Sequence, residues 1–177
     1  SDPYHPLEVS RLDTPTHAIS VTAVGEHAFV ADGFGGLRII SIADVHSPRE
    51  IGSHPGFDYA LKVQVVGDYA YLANGYAGMV ILDIQNYTNP LFVRSIRYFG
   101  PTMDLAISGN FAYFNATFGE NRVYAVDISS PANASVVGYY QASDYPRFLQ
   151  AANDLLLISD YAAGLHLVDV SAPQTPL

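Results

Sequence analysis

The side chains best suited to catalysis or metal binding are three aspartates, which recur along the chain, and one histidine. If these groups converged, their oxygen and nitrogen atoms could hold a divalent cation, and the bound metal could activate a water molecule. The sequence therefore admits a metal-dependent hydrolase or lyase as an alternative function. The four residues concerned are His17, Asp58, Asp104 and Asp144.

No catalytic motif accompanies these side chains. The six histidines form neither an HxH nor an HExxH pattern, and no GxSxG motif or phosphate-binding glycine loop occurs. The GFGG stretch at Gly33–Gly36 predicts a turn, because no helical pattern follows it. The chain has no cysteine, which excludes disulfides and sulfur-ligated zinc. We therefore expect no cofactor, and a binding protein rather than an enzyme.

The candidate groups recur because the chain is built from a repeat of 42 to 44 residues, marked by a tight turn at Gly25, Gly67, Gly109 and Asn153. Each repeat holds four short apolar runs between Gly, Pro, Asp and Asn residues, which is the pattern of strands. Such a quartet cannot bury both of its faces alone, and it has the size of one propeller blade. We predict an all-β propeller of four-stranded antiparallel blades, with a β-sandwich as the alternative.

The repeat also predicts the blade boundaries within a single domain covering residues 1–177. Residues 1–13 should supply, through a strand at Leu7–Leu12, the outer strand that the last blade lacks. The chain could form a closed four-bladed ring, a segment of a larger ring, or half of an eight-bladed ring of two chains. We favour the segment, because the sequence starts without methionine and both ends fall inside one blade. The predicted blades are 17–58, 59–100, 101–143 and 144–177.

In a propeller, the loop before each innermost strand and the loop between the two middle strands lie on one face, where ligands usually bind. In this chain those loops carry aromatic rings and a few charges, which are typical of protein and carbohydrate contact surfaces. The alternative for each ring is packing over the neighbouring blade. The predicted ligand-binding face consists of His17, Phe34, Asp58, Tyr59, Lys62, Tyr76, Asp104, Phe118, Asp144, Tyr145, Arg147 and Tyr161.

A second set of recurring carboxylates stands shortly before a proline in three of the four repeats, at Asp83, Asp127 and Asp169. A side-chain acceptor at such a place can satisfy free backbone N–H groups. We therefore predict that these three aspartates are structural.

Charge and hydropathy restrict the partners. The net charge is −9, with eight Lys and Arg residues against seventeen acids, so we expect no nucleic-acid partner. No apolar run reaches the roughly 18 residues that span a bilayer, so we expect no membrane insertion.

The segments 25–42 (GEHAFVADGFGGLRIISI), 67–84 (GDYAYLANGYAGMVILDI) and 154–173 (DLLLISDYAAGLHLVDVSAP) resemble the LVIVD repeat of secreted and surface-associated bacterial and archaeal propellers. The resemblance covers essentially the whole chain and is weakest at 115–122. It implies an extracellular or cell-surface module without shared catalytic residues, whose partner is a protein or carbohydrate ligand or other domains of the same polypeptide. A purely structural scaffold is the remaining alternative.

Overall fold

The computed structural model describes residues 4–174, which fold into four antiparallel β-sheets with the strands of each sheet in chain order. Three sheets have four strands and the last has three. We call the sheets blades 1 to 4. The predicted all-β architecture of antiparallel blades is confirmed.

The strand bounds are as follows. Blade 1 contains β1 (Ser20–Val24), β2 (His27–Ala31), β3 (Leu37–Ser41) and β4 (Arg49–His54), and blade 2 contains β5 (Lys62–Val66), β6 (Tyr69–Ala73), β7 (Met79–Asp83) and β8 (Leu91–Ile96). Blade 3 contains β9 (Leu105–Ser108), β10 (Phe111–Ala116), β11 (Arg122–Asp127) and β12 (Ser135–Gln141). Blade 4 contains β13 (Pro146–Ala152), β14 (Leu155–Asp160) and β15 (Gly164–Asp169), and short 3-10 turns occur at Pro131–Asn133 and Tyr161–Ala163.

The core lies between blades, which stack face to face. On β6, Tyr71 and Ala73 pack towards blade 3, whereas Ala70 and Leu72 pack towards blade 1. Successive side chains of a strand point to opposite faces, so a strand between two blades must be apolar on both. This explains the nearly continuous apolar runs of the middle strands, and it gives the loops a rigid base.

The recurring aspartates at the ends of the third strands have the structural role predicted for them. Asp127 and Asp169 each accept a hydrogen bond at 2.8 Å from the backbone N–H two residues ahead, and Asp83 does so at 2.9 Å. The bonds from Ser129 and Ser171 lower the pKa of Asp127 and Asp169, because they favour the ionised carboxylate. These carboxylates therefore brace the turns.

The strand predicted at Leu7–Leu12 is wrong. Within residues 4–174, the segment 7–12 forms no strand, β15 pairs with β14 alone, and the four sheets do not close into a ring. Instead, the hydroxyl of Ser10 donates to the carbonyl of Val45 at 2.6 Å, and Val9 borders a cavity against blade 1. Because this segment covers apolar side chains of blade 1, it stays on that blade rather than pairing with β15 of the same chain.

No helix within residues 4–174 has the length and apolar character needed to cross a membrane.

Candidate functional site: the loop face

Two sets of loops meet at one end of the blades. Backbone bridges join Gly33 to Ala60 and Gly75 to Thr102, so the loop between the middle strands of one blade contacts the loop that leads into the next blade. We call these the middle loops and the inner loops, and together they form the loop face. The inner loops are residues 14–19, 56–61, 99–104 and 142–145, and the middle loops are 32–36, 74–78, 117–121 and 161–163.

The rings of the middle loops are exposed in all four blades. Phe34, Tyr76, Phe118 and Tyr161 are each 65 to 70% exposed, so they do not bury themselves over the neighbouring blade. Some of them rest on an inner-loop tyrosine of the next blade. The ring of Phe34 meets that of Tyr59 edge-on at 4.7 Å between centroids. One edge of that ring is thereby supported while its remaining surface faces solvent.

The densest ring cluster lies between blades 3 and 4. The half-buried Tyr145 contacts Phe118 at 4.9 Å and Tyr161 at 6.5 Å, both edge-on. Tyr145 and Tyr161 border a surface cleft of about 300 Å³ together with Asp144 and Arg147. The cleft therefore combines aromatic faces with one charge of each sign.

Backbone strain accompanies two rings of this cluster. Phe118 has φ 61° and Tyr161 has φ 33°, in the left-handed region that side chains with a β-carbon rarely adopt. Tyr161 occupies the place that Gly33 fills in blade 1 with φ 53°. Such strain persists where the surrounding structure imposes it, and it is frequent at binding sites.

A second cleft of about 300 Å³ surrounds Tyr76 on blade 2. Its walls include Phe57, Phe92 and Arg97, none of which is among the predicted site residues. The rings of Phe57 and Phe92 lie 4.9 Å apart. Phe92 comes from the outer strand β8, so only the packing of the blade reveals its proximity to the loop face.

The innermost strands converge on a third, central cavity of about 280 Å³. The Nζ atom of Lys62 lies 3.8 Å from Oδ1 of the buried Asp104, and Arg147 lines the same cavity. Burial raises the pKa of Asp104, whereas the N–H of Leu149 and the charge of Lys62 act in the opposite direction. The cavity is lined by Ile19, Ser20, Leu61, Lys62, Met103, Asp104, Arg147 and Phe148.

Two predicted site aspartates hold the middle loops in place. Asp58 accepts the N–H of Tyr76 at 2.6 Å, and Asp144 accepts the N–H of Ala162 at 3.2 Å. In blade 1, the hydroxyl oxygen of Thr16 accepts the N–H of Gly35 in the middle loop at 3.1 Å. These side chains therefore hold the backbone beside the exposed rings, and each uses one oxygen to accept a backbone N–H.

The convergence that a metal-dependent enzyme would need is not observed. Within residues 4–174, no group of three or more His, Asp or Glu side chains is arranged to hold a metal ion. His17 is exposed in the first inner loop and borders none of the three clefts. Asp58, Asp104 and Asp144 instead accept hydrogen bonds from backbone N–H groups of the loops and strands beside them.

The sequence reasoning missed a set of buried acceptors near the end of each second strand, namely Asp32, Asn74, Asn115 and Asp160. They are fully or almost fully buried, and each accepts backbone N–H bonds from the inner loop of its own blade. Asn115 also donates to the carbonyl of Pro146 in blade 4 at 2.8 Å. These acceptors fix the inner loops, on which the tyrosines of the loop face stand.

The choice between Asp and Asn at these positions follows the side chains beside them. Asp32 lies 3.6 Å from Nε of Arg38, and Asp160 lies 3.4 Å from Nε2 of His166. In blade 2 the acceptor is the neutral Asn74, and the place of Arg38 is taken by Val80. A buried charge without a partner is costly, so a carboxylate occurs where a basic side chain stands beside it.

The overall shape is that of known propellers. The structure superposes on a putative 6-phosphogluconolactonase from Bacteroides uniformis with TM-score 0.78 at 14% identity, covering 91% of this chain and 53% of that one. It matches the computationally designed Ika8 protein with TM-score 0.72 at 10% identity, covering 89% of this chain and 47% of that one. It matches the beta-propeller domain of Cps50 (Swd1) from Myceliophteria thermophila with TM-score 0.65 at 12% identity, covering 85% of this chain and 52% of that one. The chain thus spans about half the length of these three structures, and it has the propeller fold.

No protein of curated function matches the sequence. The family model of the LVIVD repeat, however, matches it three times in succession, at residues 15–54, 58–97 and 99–142. These matches cover most of the chain and coincide with blades 1 to 3. The chain therefore belongs to the LVIVD repeat family of β-propeller-like proteins.

Proposed function

We propose that this chain is a non-catalytic binding module that captures a protein or a glycan through the loop face. The observation that carries the proposal is the presence of an exposed ring in the middle loop of every blade. An exposed ring loses little conformational entropy on binding and buries a large apolar area, which makes it an efficient contact group. Phe34, Tyr76, Phe118 and Tyr161 stand on backbone that hydrogen bonds and blade packing hold in place.

The charges of the loop face agree with this proposal. Asp144 and Arg147 flank the ring cluster between blades 3 and 4, and Arg97 flanks the cleft around Tyr76. Rings with a few charged groups around them can stack on a sugar face or receive a side chain of a protein, while the charges fix its orientation. The family resemblance favours an extracellular or cell-surface setting for such an interaction.

The proposal is tested with the triple variant Tyr59→Ala, Tyr76→Ala, Tyr145→Ala. The probes are an array of soluble oligosaccharides and an array of purified surface proteins, each incubated with labelled chain. We expect at least one class of probe to bind the native chain, and the triple variant to bind that probe at least about a hundredfold more weakly, because each of the three lost rings removes a contact of about 1 to 3 kcal/mol.

The matched control is His46→Ala, which removes an exposed ring from the opposite end of blade 1. This variant should bind like the native chain. Circular dichroism of both variants must show retained strand content. Absence of binding on both arrays, or equal binding by the folded triple variant, would contradict the proposal.

A further inference from the structure

The cleft around Tyr76 lies in blade 2, which packs on blade 1 on one side and on blade 3 on the other. Its lining residues come from the inner loop, the middle loop, the outer strand β8 and the residue that follows β8. The shape of the cleft is therefore set by blade 2 itself, with neighbours in place on both sides.

The apolar part of this cleft suits a sugar ring. Tyr76 is exposed and stands beside the buried Ala77, while Phe57 and Phe92 form a second apolar wall. A ring that offers a face to solvent beside polar groups can hold a sugar, because the C–H groups of the sugar pack on the ring while its hydroxyls reach the polar groups.

Arg97 brings a positive charge that its surroundings do not neutralise. Within residues 4–174 it forms no ion pair. Its stem passes along the middle loop, since a β-carbon placed on Gly78 would lie 2.9 Å from Cγ of Arg97. The side chain is thereby anchored beside the cleft with its guanidinium donors available. Such a planar fork of donors matches a carboxylate with two parallel hydrogen bonds.

Asp58 supplies an acceptor in the same cleft. Its Oδ2 atom accepts the N–H of Tyr76, whereas its Oδ1 atom has no hydrogen-bond partner in the part of the chain that the structure describes. Asp58 and Arg97 do not pair with each other. The cleft therefore offers a ligand one free acceptor and one free set of charged donors.

The same three groups recur in the cleft of blade 4. The aspartate of that cleft also gives its Oδ2 atom to the middle loop, and its arginine forms no ion pair within residues 4–174. The two arginines come from different elements, because Arg97 follows the outer strand β8 whereas Arg147 lies on the innermost strand β13. The repeat alone therefore does not explain the recurrence. The three groups of blade 4 are Asp144, Arg147 and Tyr161.

Blades 1 and 3 carry a different set. The place of Asp58 is taken by Thr16 in blade 1 and by Gly100 in blade 3, and the middle-loop ring is a phenylalanine in both, Phe34 and Phe118. Two clefts with the same groups thus stand one blade apart on the loop face. A ligand that repeats one chemical unit along its length can engage both of them at once.

We propose that the loop face binds a uronic-acid glycan, a sugar chain whose units carry carboxylates. This inference rests on the proposed function of the loop face and names its ligand class. In each cleft a sugar ring packs on the tyrosine, its carboxylate pairs with the arginine, and one of its hydroxyls donates to the free oxygen of the aspartate.

A uronic acid fits this arrangement better than an acidic protein side chain does. A sugar unit presents hydroxyl donors and a carboxylate on one ring, whereas an ionised Asp or Glu side chain offers acceptors only and would leave the aspartate of each cleft without a donor. The net charge of −9 does not oppose the binding, because charges more than about 8 Å away are largely screened at physiological ionic strength.

Calorimetric titration with acidic oligosaccharides tests the ligand class. The probes are oligomers of galacturonate, glucuronate and mannuronate, each compared with its methyl ester, which keeps the ring and the hydroxyls and removes the charge. We expect at least one of the acids to bind the native chain. Its methyl ester should bind at least about tenfold more weakly, because the ester loses the charge-assisted hydrogen bonds to the arginines.

The variant Arg97→Gln tests the contact itself. It keeps the stem beside Gly78 and removes the guanidinium, so it should weaken binding of the acid by about tenfold. The matched control is Arg49→Gln, which removes the same charge from an exposed side chain at the opposite end of blade 1 and should bind like the native chain.

Four outcomes would overturn the proposal: no binding of any of the three acids, equal binding of acid and ester, equal weakening by Arg97→Gln and Arg49→Gln, or equally tight binding of an oligoglutamate of the same charge. A failure of this kind differs from a failure of the proposed function. If a neutral glycan or a protein bound the native chain and not the triple tyrosine variant, the loop face would remain a binding surface and only the uronic-acid ligand would be rejected.

Discussion

Asn115 holds backbone groups of two blades at once. Its Oδ1 atom accepts the N–H groups of Met103 and Asp104 at 2.8 and 2.9 Å, while its Nδ2 atom donates to the carbonyls of Pro146 and Arg147 at 2.8 and 3.2 Å. The side chain is fully buried, so no water can replace these partners. One amide thereby joins the inner loop of blade 3 to the first residues of β13 in blade 4, beside the ring cluster.

We expect Asn115→Ala to lower the free energy of unfolding by about 3 kcal/mol, because it leaves several buried backbone groups without a partner. Urea denaturation measures the loss. The control is Asn86→Ala, which removes an exposed side chain bonded only to Thr88 and should cost less than about 1 kcal/mol. Equal losses in the two variants would show that the buried amide does not hold the loops.

Among single residues, the exposed rings of the loop face could be predicted from the sequence, whereas the buried acceptors beneath it could not. The rings of the loop face could be found because they recur at a fixed place in each repeat. The buried Asp32 and Asn74 could not be recognised, because Asp or Asn followed by Gly is also the pattern of an exposed turn. Their partners are backbone N–H groups 16 residues earlier, which no local pattern connects to them.

At the scale of the elements, strands were predictable wherever blades lie on both sides. A strand such as β7 is apolar at nearly every position because both of its faces are buried, and its pattern therefore differs clearly from that of a loop. The segment Leu7–Leu12 carries apolar residues at every second or third position, as a half-exposed strand can, and still forms no strand. Strand structure needs an edge to pair with, and composition does not show whether that edge lies in the same chain.

In blade 2, the loop between the second strand β6 and the third strand β7 lies close to the outer strand β8. Gly78 has φ 79°, and a β-carbon on it would collide with the carbonyl of Ile96. Gly67 has φ 55° with nothing within 4 Å of such a β-carbon. We expect Gly67→Ala to cost about 1 kcal/mol from backbone strain alone. Gly78→Ala should cost at least about 3 kcal/mol, since the strand must also move.

Thermal or urea unfolding of the two alanine variants measures this difference with the same substitution at two positive-φ sites. If both variants lost the same stability, the contact between the turn at Gly78 and the outer strand β8 would contribute nothing to the free energy of unfolding.

The whole molecule shows what a repeat can and cannot predict. The period of 42 to 44 residues determined the blade, because four strands and their turns fill that length. The number of blades in a ring depends on the angle between neighbouring blades, which is set by how side chains such as Tyr71 and Phe114 pack between them. That packing is a property of the folded chain, so the repeat period alone does not give the number of blades.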